Sequence, residues 1–192
     1  MDQFFNSIYR LRFIERWATS FGSRKENVAE HCFSVAVISH LLALLNNEFN
    51  SSETVNAEEL VVLALYHDSF ESYTSHIVSP VKNTTEEFKE AHDKMRAFYT
   101  SRLIHSLPEV LRDKLTLFEA GSHETKVNEI ISAADDIDAY LFCKFQVNIG
   151  NNDYANKLEI TERRVDRLRE ELNYVDFFFQ HLCDFDKLEL EY

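Results

Sequence analysis

The sequence predicts an all-α bundle of about six to eight helices, and three observations carry that expectation. Apolar residues recur at three- and four-residue steps along most of the chain. Capping patterns, with Ser, Thr or Asn followed three positions later by Glu, stand ahead of four of these periodic runs. Gly and Pro number only 3 and 2 in 192 residues, where average usage would give about 23 together. The tight turns that hairpins, sandwiches and Rossmann-type folds require are therefore scarce.

From Gln3 to Trp17 the residues Phe4, Ile8, Leu11 and Ile14 fall on one side of a helical wheel, with Arg10, Arg12 and Glu15 between them. Gly22 and Ser23 interrupt the pattern. Asn27, with Glu30 three residues on, then opens a second helix that runs to about Leu45. Asn56 with Glu59 opens a third over Leu60 to Tyr66, and the same device recurs at Thr84 to Glu87 and at Ser106 to Glu109. Between them Ser72 to Lys82 lacks a helical period and contains Pro80, so it reads as an irregular loop of the length that often carries function. Gly121 closes the fifth helix, Val127 to Ile149 forms a sixth that stops at Gly150, and Tyr154 to about Leu182 forms a last long one. No repeat, low-complexity tract or linker divides the chain, so residues 1–192 are expected to form one domain.

A composition of 45% hydrophobic and 28% charged residues suits a globular protein with a sizeable core. A net charge of −13 repels the phosphate backbone of nucleic acid and anionic lipid, so neither long nucleic acid nor a membrane is an expected partner. A small anionic substrate stays compatible where a local cation or metal outweighs that field. Cys32, Cys143 and Cys183 are odd in number, widely spaced and set in apolar runs, as in a reduced cytoplasmic protein. No leader pattern opens the chain, and no run of apolar residues approaches the length that spans a bilayer.

The residues that suit metal chemistry are His31 in the second helix, His67 and Asp68 at the end of the third, and an aspartate of the sixth. Imidazoles and carboxylates together hold a divalent ion while leaving positions for water and substrate. A bare His-Asp dipeptide is weak evidence, and the chain has two. His92-Asp93 lies in the charged run EEFKEAHDKMR and reads as a solvated surface pair. His67-Asp68 follows LVVLALY, where a carboxylate entering the core needs a cation or a strong partner. His31 alone also reads as a hydrogen-bonded core histidine, and His40 keeps that structural reading. In SAADDIDAYL, Asp135 and Asp138 share a face and Asp136 points elsewhere; spacing does not choose between the first two.

The blocks RKENVAEHCFSVAVISHLL, VNAEELVVLALYHDSFESYTSHIVSPVK, and AADDIDAYLFCK with GNNDYA, in that order and spacing, resemble the HD-domain hydrolases of the YfbR-like 5′-deoxynucleotidase group. The likeness runs from Arg16-Trp17 to about Tyr154. It implies a helical HD domain, a homodimer, and one divalent ion held by His31, His67, Asp68 and Asp135. It further implies that Arg16 orients a substrate phosphate and that Trp17 packs against the sugar. Without the resemblance, Arg16 reads as a surface charge and Trp17 as core. Glu71, one turn beyond the His-Asp pair, matches a glutamate suited to proton transfer, against the alternative of a surface residue at a fraying helix end. With Arg16 and Asp68 it makes up the expected catalytic set, and Asp68 and Asp135 are expected to face substrate as well as metal.

The chain departs from the family where an aspartate followed by Leu-Pro-Thr is usual in the substrate-contacting loop: His76, Ile77, Val78 and Ser79 stand there instead. The exchange replaces an anionic acceptor by an imidazole, which can donate to phosphate when protonated. The expected activity is metal-dependent removal of the 5′-phosphate from (deoxy)nucleoside 5′-monophosphates. The ligand set is compatible with Mn, Co, Mg, Zn, Ni or Fe. The alternatives are HD-type hydrolysis of a cyclic nucleotide, nucleoside triphosphate or alarmone, and a non-catalytic domain that binds a nucleotide or a partner.

Overall fold

A computed structural model describes residues 3–21, 24–82, 84–113, 115 and 125–184. Among them are seven α-helices of seven residues or more: α1 (Phe4–Arg10), α2 (Val28–Phe49), α3 (Ala57–Tyr66), α6 (Glu86–His105), α8 (Thr125–Asn148), α9 (Ala155–Glu171) and α10 (Asn173–His181). Three single turns, α4 (Glu71–Thr74), α5 (Ser79–Lys82) and α7 (Glu109–Arg112), complete the described α-helices, and 3-10 turns stand at Leu11–Phe13 and Asn152–Tyr154. The only extended pairing among the described residues is an isolated antiparallel bridge between Glu15 and Asn27. The all-α expectation therefore holds.

Local chemistry sets these boundaries. At the head of α2 the Glu30 N–H donates to Asn27 Oδ1 (3.0 Å) and the Asn27 N–H to Glu30 Oε2 (3.4 Å), a reciprocal capping box. Asn56 Oδ1 caps α3 by accepting from the Glu59 N–H at 3.1 Å. Two other expected boxes shift. Thr85, not Thr84, caps α6 through the Phe88 N–H, and the Thr84 hydroxyl donates back to the Val81 carbonyl. The Ser106 hydroxyl donates to the Leu103 carbonyl and closes α6, while Pro108 stands at the entry to α7. Gly150 adopts φ +89°, the left-handed conformation that ends α8 where the sequence predicts.

Three helices prove shorter than expected, and the fifth expected helix is reduced to the single turn α7, capped at Asp113. The first stops at Arg10, passes through a 3-10 turn over Leu11–Phe13, and becomes extended at Ile14. The expected last helix breaks at the extended Leu172 into α9 and α10, with Arg169 Nη2 paired to Asp176 Oδ1 across the corner at 2.9 Å. Both halves turn apolar faces to one core, so the break leaves little trace in the pattern. The segment 72–82 is not wholly irregular, because α4 and α5 bracket a reversal at Ser75. Gly22, Ser23 and Gly121 lie outside the described residues.

The chain divides into two compact units. The first comprises Met1–Thr19, Ser23–Phe33 and Leu65–Glu124. Here Leu11, Val28 and Cys32 are buried together, Phe4 packs on Tyr66 (6.0 Å between ring centroids), and Tyr73 stacks on Tyr99 (5.2 Å). The second comprises Ser20–Gly22, Ser34–Ala64 and Thr125–Tyr192. Its core joins Val35, Leu42, Leu60, Ile130, Ile137, Tyr174 and Phe178. In α10, Phe178 is buried in that core and Phe179 packs against it.

By length and composition α2 is apolar enough to cross a bilayer, contrary to the expectation that no run is. Half of its most apolar window is packed inside the protein, and it buries His31, Ser39 and Asn46, as the core helix of a globular unit does.

Candidate functional site

The first unit gathers most of the residues singled out in the sequence. Its floor is built by the short extended stretch after α1. The Arg16 N–H donates to the Glu26 carbonyl (2.9 Å) and the Val28 N–H to the Ile14 carbonyl (3.0 Å), which draws Arg16 inward to 7% exposure. A guanidinium buried this far must be compensated. Arg16 Nε lies 2.9 Å from Glu26 Oε2, and Nη1 lies 3.9 Å from Asp68 Oδ2. Glu26 also accepts from Trp17 Nε1 at 2.9 Å. Trp17 has φ +57°, a conformation that costs a bulky residue about 1–3 kcal/mol and persists where its surroundings enforce it. Arg16 is thus no surface charge, and Trp17 is half-buried on the same carboxylate.

His31, in the first turn of α2, is fully buried. Its Nε2 lies 3.7 Å from Asp68 Oδ2, and His67 Nε2 lies 3.4 Å from that same oxygen. The ligand atoms of His31 and His67 stand within 4.8 Å of one another. Two donors each about 2.1 Å from one ion are roughly 3.0–3.5 Å apart at octahedral or tetrahedral angles. The Asp68 oxygen stands at that separation from His67 and slightly beyond it from His31, and a largely buried set of two imidazoles and a carboxylate is of the kind that holds a divalent ion. Cys32 beside them is no candidate thiolate, since burial pushes its thiol well up and the Asp68 carboxylate adds to the rise.

Glu71 is 1% exposed, which overturns the alternative of a frayed surface residue. His76 Nδ1 sits 3.2 Å from each Glu71 oxygen, and Lys82 Nζ lies 3.7 Å from Oε1. Ile77 and Val78 are half-buried, and Ser79 begins α5. Asp135, in α8 of the second unit, is half-buried, and Asp138 is buried. Asp136 pairs with Arg164 at 3.1 Å, apart from its two neighbours in role. Burial raises its carboxyl above the usual range, against the pull of Arg164.

The surface reading of His92-Asp93 holds only for Asp93. The His92 side chain is 9% exposed and sets its ring edge-on to Phe70 at 5.7 Å. Burial, with Lys82 nearby, lowers its pKa below the ordinary histidine value. Arg96 also lies over the Phe70 ring, at 5.7 Å, and donates from Nη2 to the His67 carbonyl at 3.3 Å. Arg96 therefore steadies the backbone of a metal-ligand candidate. Contacts on the ring of a metal-ligating histidine are worth about 10–100-fold in metal affinity, and a contact on its backbone is expected at the low end of that range. Arg96→Ala is expected to weaken manganese binding by about 10-fold in a calorimetric titration.

Sequence reasoning missed Glu26 and Arg96. Glu26 lies in a charged run whose pattern gives no hint that its partner is Arg16, and Arg96 acts on a backbone carbonyl from a different helix.

The family model described as 5′-deoxynucleotidase YfbR-like matches residues 3–185. A 4′-phosphooxetanocin A phosphatase from Priestia megaterium is 34% identical, with 93% of this chain and 90% of that protein covered. A 5′-deoxynucleotidase from Vibrio cholerae is also 34% identical, with 90% of each chain covered. Among solved structures, an HD-domain phosphohydrolase from Listeria innocua superposes with a TM-score of 0.77 at 23% identity, covering 93% of this chain and 85% of that one. A cyanophage S-2L HD phosphohydrolase bound to dA and one catalytic zinc ion has a TM-score of 0.63 at 18% identity, covering 91% and 92%.

Proposed function

The chain belongs to the YfbR-like 5′-deoxynucleotidase family, and from that premise we propose that it is a metal-dependent phosphohydrolase converting (deoxy)nucleoside 5′-monophosphates to nucleoside and inorganic phosphate. The observation that carries the reading is the convergence of His31, His67 and Asp68 on one point, with the buried Arg16 guanidinium against Asp68. The proposal makes His31, His67 and Asp68 three ligands of one divalent ion and Asp135 the fourth. Such an ion, when bound, neutralises phosphoryl oxygens and acidifies water.

The chain's own side chains supply the rest. Arg16, held by Glu26, presents a fixed cation to the phosphate, so most of the rate gain is positioning and charge neutralisation. Trp17, pinned through its indole N–H, offers a flat apolar face to the sugar. Glu71 serves the proton transfer at the reacting oxygens, and His76, Ile77, Val78 and Ser79 line the nucleoside side. We include in the proposal that residues 1–192 act as one HD domain, that the protein is a cytoplasmic homodimer, and that its partner is a small nucleotide, with no long nucleic acid and no membrane. A net charge of −13 supports the last point.

The test is phosphate release from matched deoxy- and ribonucleoside 5′-monophosphates with manganese, cobalt or magnesium, and after chelation. Release from the deoxynucleotides that chelation abolishes is the expected result. Equal turnover of both sugars would assign the loss of deoxyribose selection to the loop at His76 to Ser79. Absence of release from every monophosphate overturns the reading.

A further inference from the structure

The Glu71 carboxylate is buried between two side chains, His76 with Nδ1 at 3.2 Å from both oxygens and Lys82 with Nζ at 3.7 Å from one. An ionised carboxylate has only lone pairs to offer, so in that pairing the proton belongs to Nδ1. The contact fixes the ring, with Nδ1 turned onto Glu71 and Nε2 as the atom that can give or take a proton. The backbone enforces the pairing. Ser75 adopts φ +62° and ψ 172° while its N–H donates to the Glu71 carbonyl at 2.8 Å, and this strained reversal brings residue 76 back over residue 71. The Glu71 N–H in turn donates to the Asp68 carbonyl at 3.0 Å, and the Cys32 thiol feels the charges of Asp68, Arg16 and Glu71 together. The histidine–glutamate pair thus belongs to the neighbourhood of the ligand trio.

We infer that His76 is the catalytic residue that protonates the departing 5′ oxygen, with Glu71 acting as the positioning residue that aims it. The inference rests on the phosphohydrolase reading above. In the step, a water oxygen forms the new bond to phosphorus and its surplus proton passes to solvent. The P–O5′ bond breaks with its electron pair on O5′, and that oxygen takes the Nε2 proton of the imidazolium. The neutral imidazole regains a proton from solvent, so the net reaction consumes one water and no proton. Lys82 keeps the Glu71 carboxylate compensated while the charge on His76 changes.

Two esters with different needs for an acid test this. A nucleoside alkoxide leaves poorly without a proton, whereas 4-nitrophenolate leaves unaided. His76→Asn is expected to lower kcat on deoxyadenosine 5′-monophosphate by about 10²–10⁴-fold, and its kcat on 4-nitrophenyl phosphate by a much smaller factor. Glu71→Gln is expected to reproduce that discrimination more weakly, because it misaims the ring without removing it. Manganese stoichiometry, read on both variants, is expected to stay near the parent's, while the melting temperature is expected to fall in Glu71→Gln, which leaves His76 and Lys82 without their buried carboxylate. Equal losses on the two esters, or no loss on the nucleotide, overturn the inference while the parent's phosphate release leaves the family function standing. If one variant does not fold, the other decides by the same comparison. A parent chain inert toward both esters overturns the phosphohydrolase reading, and this inference with it.

Discussion

Asp68→Ala is expected to lower phosphate release from a deoxynucleoside 5′-monophosphate by about 10³-fold or more, the several kcal/mol that a bound ion contributes to phosphoryl transfer. The reason is geometric. Asp68 Oδ2 is the atom on which the others converge: His67 Nε2 at 3.4 Å, His31 Nε2 at 3.7 Å and Arg16 Nη1 at 3.9 Å. Removing it takes away the carboxylate ligand of the trio and leaves two imidazoles and a guanidinium facing a site that must then hold a cation. The fold itself should survive, because Arg16 keeps its closer partner Glu26 at 2.9 Å. The discriminating measurement is the melting temperature with and without manganese. In the parent chain an ion at 100 times its Kd adds about 2.7 kcal/mol to stability. In Asp68→Ala that increment should vanish while the metal-free melting temperature changes little. Retention of the manganese-dependent rise in the variant would show that Asp68 is not a ligand.

How far the sequence disclosed this site depends on the kind of interaction. Helix starts were legible wherever a side chain meets a backbone within three residues, as at Asn27 and Asn56. They were displaced by one residue where two threonines competed, Thr84 and Thr85, and by two where the Ser106 hydroxyl bonds back to Leu103 and leaves Pro108 at the entry. The break at Leu172 was hidden because α9 and α10 both put apolar residues into one core. His67-Asp68 was legible because an apolar run delivers a charge into the interior. His92 was not, because its neighbours in sequence are charged while its neighbour in space is Phe70. Arg16 and Glu71 were legible in role only through the resemblance. Their burial comes from contacts with residues 5 to 52 positions away in sequence, Glu71 with His76 and Arg16 with Asp68, and no local period encodes that.

Arg16→Ala should be the most damaging single change in the first unit, for two separable reasons. The guanidinium compensates Glu26, whose side chain is 7% exposed, and removing one partner of a buried ion pair typically costs about 3–5 kcal/mol because the other charge is stranded. For a chain of this length that corresponds to a fall on the order of 10 °C in Tm. Lysine does not restore the arrangement, since an ammonium cannot offer two nitrogens in a planar fork to Glu26 and to an incoming phosphate. The same side chain is proposed to bind that phosphate, so activity should fall as well, and the single variant alone would not say why. Arg16→Met combined with Glu26→Gln separates the causes. With neither charge left in the pair, the double variant should recover most of the lost stability, because an apolar replacement of a buried pair is often close to neutral. Trp17 can still donate its indole N–H in that background, because Glu26→Gln keeps an amide oxygen as acceptor. Phosphate release should nevertheless remain depressed, with a raised KM for the nucleotide, because the cation that meets the phosphate is gone. Recovery of activity together with stability would make Arg16 a structural cation only.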